Sequence, residues 1–172
     1  MSEEKPGTRE VKWEEGARQI NDCDYLYAVD IRETEELTLQ LEIAEARAQD
    51  RVLAPRDDTW VEQLRLGARP IETDPTCRFF RLTFDRSHMV SYTVLNECYG
   101  IYPQPPEVFT GKLFREFSHS HLLEFTKRST YASDEHPGVL QHYEVACLNH
   151  VIDVICTGPP RIEVGRWTNP RE

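Results

Sequence analysis

Two neighbouring stretches of the chain alternate with a period of two, and they constrain the fold more than any other feature. Tyr25, Tyr27, Val29 and Ile31 alternate with Leu26, Ala28, Asp30 and Arg32. Leu37, Leu39, Leu41 and Ile43 then alternate with Thr38, Gln40, Glu42 and Ala44. Successive side chains of a strand point to opposite faces, so this pattern predicts two half-buried strands. The polar link Glu33-Thr34-Glu35 suits a hairpin connection between them. Residues 36–50 also carry good helix formers, with Leu37, Leu41, Ala44 and Ala48 on one helical face. Four strict alternations in a row favour the strand, and the tail Ala44 to Gln49 is expected to leave the sheet.

Further strands follow the same logic. Phe80, Leu82 and Phe84 share one face, Asp85-Arg86-Ser87 reads as a turn, and Val90, Tyr92 and Val94 share the next face. Aromatic and β-branched residues dominate both arms, which predicts an antiparallel hairpin over 78–97. Pro103, Pro105 and Pro106 interrupt any central strand after it. A short strand is expected over 108–117. Ser118 or Ser120 then caps a helix carrying Leu122, Leu123, Phe125 and Thr126, with Lys127 and Arg128 at its negative end. The apolar run 142–156 is interrupted at Asn149 and His150, so two strands meeting at a tight bend or one long bent strand both fit. Ile162 and Val164 suit an edge strand. Thr59-Trp60-Val61-Glu62 has capping-box spacing and predicts a short helix to about Leu66.

These elements imply an α+β domain that is predominantly antiparallel β. The sheet is expected to be curled, or doubled into a sandwich or partial barrel, with one or two short covering helices. Residues 1–20 read as a flexible acidic lead-in, with Trp13 and Ile20 as its points of attachment. Residues 21–167 form the globular domain and 168–172 a tail. A chain of 172 residues with 10% aromatics can bury a core without disulfide or metal staples.

The net charge is −10, and residues 1–50 hold 14 Asp and Glu against 6 Lys and Arg. Such a surface repels phosphate backbones and anionic lipid, which argues against nucleic acid and membrane as partners. Cys23, Cys77, Cys98, Cys147 and Cys156 are widely spaced, with no Cys-x-x-Cys pair for zinc or redox exchange. The charged segment Met1 to Gly16 lacks the apolar core of a secretory signal, and no window is apolar enough to span a bilayer. The expected setting is the reducing cytoplasm.

Motifs with chemistry are few. His119-Ser120-His121 would aim two imidazoles to one side on a strand, and catalytic zinc needs a third ligand from His136, His142, Asp134 or Glu135. At the start of a helix the same pair diverges, so no metal is assigned to it. His142 and His150 on one straight strand would stand about 26 Å apart, too far for one site. Tyr92, Asn96, Glu97, Arg115, His142 and His150 are polar positions within apolar strands, and they line either a cleft or a core network. Neither a Gly-x-Ser-x-Gly elbow nor a Gly-rich phosphate loop occurs, and no cofactor is expected.

The leading expectation is a non-enzymatic interaction module, such as an inhibitor, an immunity-like antagonist or an adaptor. Its partner would be a basic protein. The acids Glu33, Glu35, Glu36 and Glu42, with Trp60, Tyr99 and Tyr102, are the expected contact residues, and Phe109 is a further aromatic anchor. The rivals are a small-molecule-binding β-domain and a metal-dependent hydrolase built on His119 and His121. Self-association into a homo-oligomer is compatible with each.

Overall fold

The two alternating stretches form β2 (Tyr25–Glu35) and β3 (Thr38–Ala48), an antiparallel pair. Their turn is Glu36-Leu37 rather than the expected link Glu33-Thr34-Glu35, because Glu33 and Glu35 still pair with Leu39 and Thr38. Leu37 sits there at φ 60°, a left-handed conformation normally left to Gly or Asn. β3 keeps its place to Ala48 instead of leaving the sheet at Ala44. Ala44 lies opposite Tyr27 and Phe79, and Ala46 opposite Tyr25, so the small side chains fill space beneath aromatics.

The computed structural model describes residues 7–52 and 67–168. The helix expected at 59–66, with Trp60, lies outside them. The described residues form two sheets, and neither closes into a barrel. The first has the order β1 (Arg9–Val11), β11 (Arg161–Arg166), β5 (Arg78–Phe84), β3, β2, with β4 (Ile71–Glu72) paired to the end of β3. The second has the order β6 (Met89–Asn96), β10 (His150–Cys156), β9 (Gln141–Ala146), β8 (Phe114–His119), β7 (Val108–Thr110). Every strand pair is antiparallel. The result is a sandwich-like α+β fold, one of the expected architectures.

Period-two alternation decides the faces. Leu39, Leu41 and Ile43 of β3, Phe80, Leu82 and Phe84 of β5, and Ile162 of β11 point inward from one sheet. Tyr143 and Val145 of β9 meet them from the other, with Ile152, Val154 and Cys156 of β10. At about 25 cal/mol per Å² of apolar area removed from water, this interior is the main stabilising term.

The lead-in expectation for residues 1–20 needs a correction from residue 9 onward. Arg9–Val11 form β1, and helix α1 (Trp13–Asn21) runs from the lead-in into the first residue of the expected domain. Trp13, Ala17 and Ile20 recur at helical spacing and plug the gap between the sheets. Trp13 stands edge-on to Phe114 and Tyr143, with ring centroids 5.7 and 5.6 Å away. Gly16 permits this approach, since a Cβ there would lie 2.7 Å from Ile162 Cγ2.

The expected hairpin over 78–97 is also corrected. β5 is hydrogen-bonded to β3 and β11, so both its edges are occupied. The turn Asp85–His88 therefore carries the chain across to the other sheet, where β6 pairs with β10. Alternation fixes which face is buried but says nothing about which strand is the neighbour. For the same reason β11 is not an edge strand, because the short β1 covers it. The strand expected over 108–117 is two strands, β7 and β8. They are joined at Gly111, whose φ of 92° and 2.1 Å Cβ approach to the Phe114 carbonyl oxygen admit no side chain.

Two alternatives that the sequence leaves open are resolved. The run 142–156 is β9 and β10 meeting at a tight bend. Ser120 caps helix α2 (His121–Ser129), its Oγ accepting from Leu123 N–H at 3.1 Å. α2 lies on the outer face of the second sheet and rests Leu123 against Leu140 and Ile155. No helix among the described residues is long and apolar enough to cross a membrane.

Candidate functional site

An open cleft of about 270 Å³ lies at one end of the sandwich. Its walls are apolar: Leu26 from β2, Leu113 before β8, Leu148 from the β9–β10 turn and Val151 from β10. Glu97, Ile101 and Tyr102 stand at the rim, and Arg115 lies on the floor. The rim comes from the long connection between β6 and β7. Asn96 starts it by accepting Cys98 N–H at its own Oδ1, 3.0 Å away, which begins a short 3-10 turn over Glu97–Tyr99. The prolines that follow keep this connection out of the sheet.

Arg115 is only 9% exposed. Its guanidinium is ion-paired to Glu144 on the neighbouring strand, directly opposite in register. Its Nε donates to the Lys112 carbonyl at 3.1 Å. Tyr102 and Phe109, themselves edge-to-face with centroids 5.7 Å apart, both lie within cation–π range of the guanidinium, at 4.8 and 5.4 Å from its carbon. Burial pushes the Glu144 carboxyl above its ordinary range; Asp153 adds to the rise, and Arg115 opposes it. The pair ties β8 to β9 beneath the cleft and holds Tyr102 at the rim.

One row further along the sheet, His142 bridges two groups. Its Nδ1 lies 2.8 Å from Ser120 Oγ and its Nε2 lies 2.9 Å from Asp153 Oδ1. Phe117 stacks on the ring at 4.3 Å. Asp153 as a carboxylate only accepts, so Nε2 carries a proton and donates it there. In the neutral imidazole Nδ1 then accepts from the Ser120 hydroxyl, whose oxygen also accepts from Leu123 N–H. A Ser–His–Asp chain is the alphabet of a nucleophilic triad. Ser120, however, has 0% exposure and its oxygen caps α2, so no substrate carbonyl reaches it in this conformation. The chain anchors the helix N-terminus to the sheet.

The expected cleft residues are brought together only in part. Glu97 and Arg115 line the cleft. Tyr92 lies against the core, and its hydroxyl donates to Glu33 at 3.2 Å. Asn96 is a turn cap. His142 belongs to the helix anchor, and His150 opens β10 opposite Asn96, next to the lining residue Val151 but not itself lining, its Nδ1 buried without a partner among the described residues. The two histidines do not converge.

The expected partner-binding residues divide into two groups. Tyr102 lines the cleft, and Tyr99 lies between its lining residues Glu97 and Gly100 without lining it. Glu33, Glu35 and Glu36 are exposed at the tip of the β2–β3 hairpin, with Glu36 paired to Arg86 at 3.1 Å. Tyr25, a cleft residue, and Glu35 are the two ends of β2, about 33 Å apart at strand rise. One flat contact does not cover both groups. Glu42 is not a free acid at all: it is half-buried and bound to Arg81 at 3.0 Å and Arg32 at 3.1 Å. Arg81 in turn holds Glu163 at 3.2 Å, so Glu42 belongs to a charge network on the outer face of the first sheet.

His119 ends β8 and His121 opens α2. Among the described residues no three His, Cys, Asp or Glu side chains are grouped to hold a metal ion. Burial pushes the thiols of Cys23, Cys147 and Cys156 up to about 12, which keeps them protonated and inert.

The sequence reading missed two features. Asp153 and Ser120 were not joined to His142, although the hairpin register alone sets His142 opposite Ile155 and Asp153 within its diagonal reach. Ile101 was also overlooked as a rim residue, its only signal being an aliphatic residue in a proline-rich connection. No family model, no curated protein and no solved structure matches the chain.

Proposed function

We propose that this protein is a non-enzymatic interaction module that engages a basic protein partner through the cleft and its aromatic rim. The observation that carries the reading is the exposure of three large side chains in one short stretch. Tyr99 is 78% exposed, Ile101 88% and Tyr102 61%. They stand beside an open apolar cleft that an inserted side chain would fill. Tyr102 and Arg115 brace one another, so the rim is partly preorganised and loses little freedom on binding.

The charge of the partner follows from complementarity. The chain carries −10 overall, and Glu97 adds an exposed carboxylate at the rim. Glu33, Glu35 and Glu36, at the opposite end, contribute to the long-range field that speeds encounter rather than to the contact.

The direct test is capture of partners from the native host by wild-type protein and by two variants. Tyr99→Ser/Ile101→Ser/Tyr102→Ser is expected to lose a basic protein that Glu33→Gln/Glu35→Gln/Glu36→Gln retains. Loss from the hairpin-tip variant alone, or from neither, would contradict the assignment of the contact.

A further inference from the structure

A second cleft, of about 330 Å³, lies at the other end of the sandwich between the β5–β6 crossing and the β10–β11 turn. Its walls are polar, with Thr83, Asp85, Ser87, His88 and Arg161 among its lining residues. We propose that this cleft binds a small zwitterion of the α-amino-acid class. The carboxylate would lie against Arg161 and Thr83, and the ammonium against Asp85.

Three observations carry this. The first is the state of Arg161. In this acid-rich chain, Arg32, Arg47, Arg78, Arg81 and Arg86 each reach a carboxylate within ion-pair distance. Arg161 reaches none among the described residues, yet it stands in a cleft wall. A guanidinium with its fork free is matched to a ligand carboxylate.

The second is Thr83, directly opposite Arg161 in the β5–β11 register. It is 8% exposed, and its Oγ1 is buried with no hydrogen-bond partner among the described residues. A buried hydroxyl without a partner is costly, and an acceptor delivered beside it would relieve that cost.

The third is the opposite wall. Asp85 spends one oxygen on Ser87, accepting from its N–H at 2.9 Å and its Oγ at 2.6 Å. Its second oxygen makes no hydrogen bond among the described residues. Those bonds from Ser87 hold the Asp85 carboxyl below its ordinary range, with smaller help from His88 and Arg161. A fixed anion across from an unpaired cation favours a neutral dipolar ligand over a bare anion. A phosphate dianion in particular would be repelled by Asp85. The walls are tied together, since Thr157 N–H donates to the His88 carbonyl at 2.8 Å and the His88 ring meets Thr157 Oγ1 at 3.1 Å.

Amide-resolved NMR titration of the full chain tests this, with the standard α-amino acids, acetate, ethylammonium and inorganic phosphate as probes. At least one amino acid is expected to give saturable shifts at Thr83, His88 and Arg161. Acetate and ethylammonium, which each offer half the dipole, should bind about tenfold more weakly or worse. Arg161→Gln and Asp85→Asn, whose side chains are exposed, should each weaken that binding by about tenfold while leaving the thermal midpoint unchanged. Absence of saturable shifts with every amino acid would overturn the proposal. So would tighter binding of phosphate, or unchanged affinity in Arg161→Gln. This cleft lies away from the aromatic rim, so its failure leaves the interaction reading untouched.

Discussion

Asn149 and Ala28 exchange two hydrogen bonds: Ala28 N–H donates to Asn149 Oδ1 at 3.0 Å, and Asn149 Nδ2 donates to the Ala28 carbonyl at 2.9 Å. The side-chain amide thus acts as a peptide unit of an adjacent strand. It satisfies the edge of β2 where the register shifts between Ala28 and Asp30. Leu148 N–H donates to the Leu26 carbonyl at 2.8 Å and extends the contact. The β9–β10 turn is therefore stitched onto the opposite sheet, beside the cleft.

Asn149→Ala removes both bonds and is expected to cost about 2 kcal/mol in urea unfolding. Asn149→Asp keeps the acceptor but sets a carboxylate oxygen against a carbonyl, and it should cost at least as much. Exchange of the Ala28 amide proton should quicken in both. A neutral Asn149→Ala would mean the stitch is incidental.

Gly16→Ala places a methyl 2.7 Å from Ile162 Cγ2. Overpacking of this kind costs about 1–3 kcal/mol. A second change, Ile162→Ala, makes room for the methyl. The double variant should therefore lose less than the sum of the two single losses, and a double-mutant cycle measures the difference.

Glu45 governs part of the acid response. It is buried, accepts from Arg78 N–H at 2.9 Å and Nε at 3.0 Å, and also holds Arg47 at 3.0 Å. Burial alone would raise its carboxyl, but the Arg78 and Arg47 bonds outweigh that and hold it below the ordinary value of 4.5. A depressed folded pKa stabilises the fold above pH 4.5, and that contribution is lost as pH falls through the folded value. Glu45→Gln is expected to cost about 2–3 kcal/mol near pH 7, with the gap to wild type closing below pH 4.5. A gap that is constant with pH would show that shape rather than charge is at work.

Ser120→Ala removes both the α2 cap and the donor to His142 Nδ1. The expected cost is about 2 kcal/mol, the sum of a lost cap and an unpaired ring nitrogen. In the wild type, ring-nitrogen NMR should find neutral His142 protonated at Nε2. The Nδ1–H tautomer would reverse the direction of the Ser120–His142–Asp153 chain.

The faces of the sheets were legible in the sequence, and their neighbours were not. Leu39, Leu41 and Ile43 declare an inward face by alternation, and so do Phe80, Leu82 and Phe84. Nothing local told β6 to pair with β10 rather than β5, because pairing across about 60 residues depends on which edges are already taken. Helix α1 was hidden because Trp13, Ala17 and Ile20 are its few apolar residues amid charge. At the cleft, Arg115, Glu97 and Tyr102 were recognisable as residue types. That Glu42 is bound within an arginine network was not, since Arg81 lies 39 residues away.

Site-specific photo-crosslinking in the native host tests the central claim most directly. A photoreactive phenylalanine at position 99 or 102 should give an adduct with one basic protein. The same group in place of Phe125, which is exposed on α2, should not. Adducts absent from both rim positions, or identical from all three, would contradict the assignment of the aromatic rim as the partner contact.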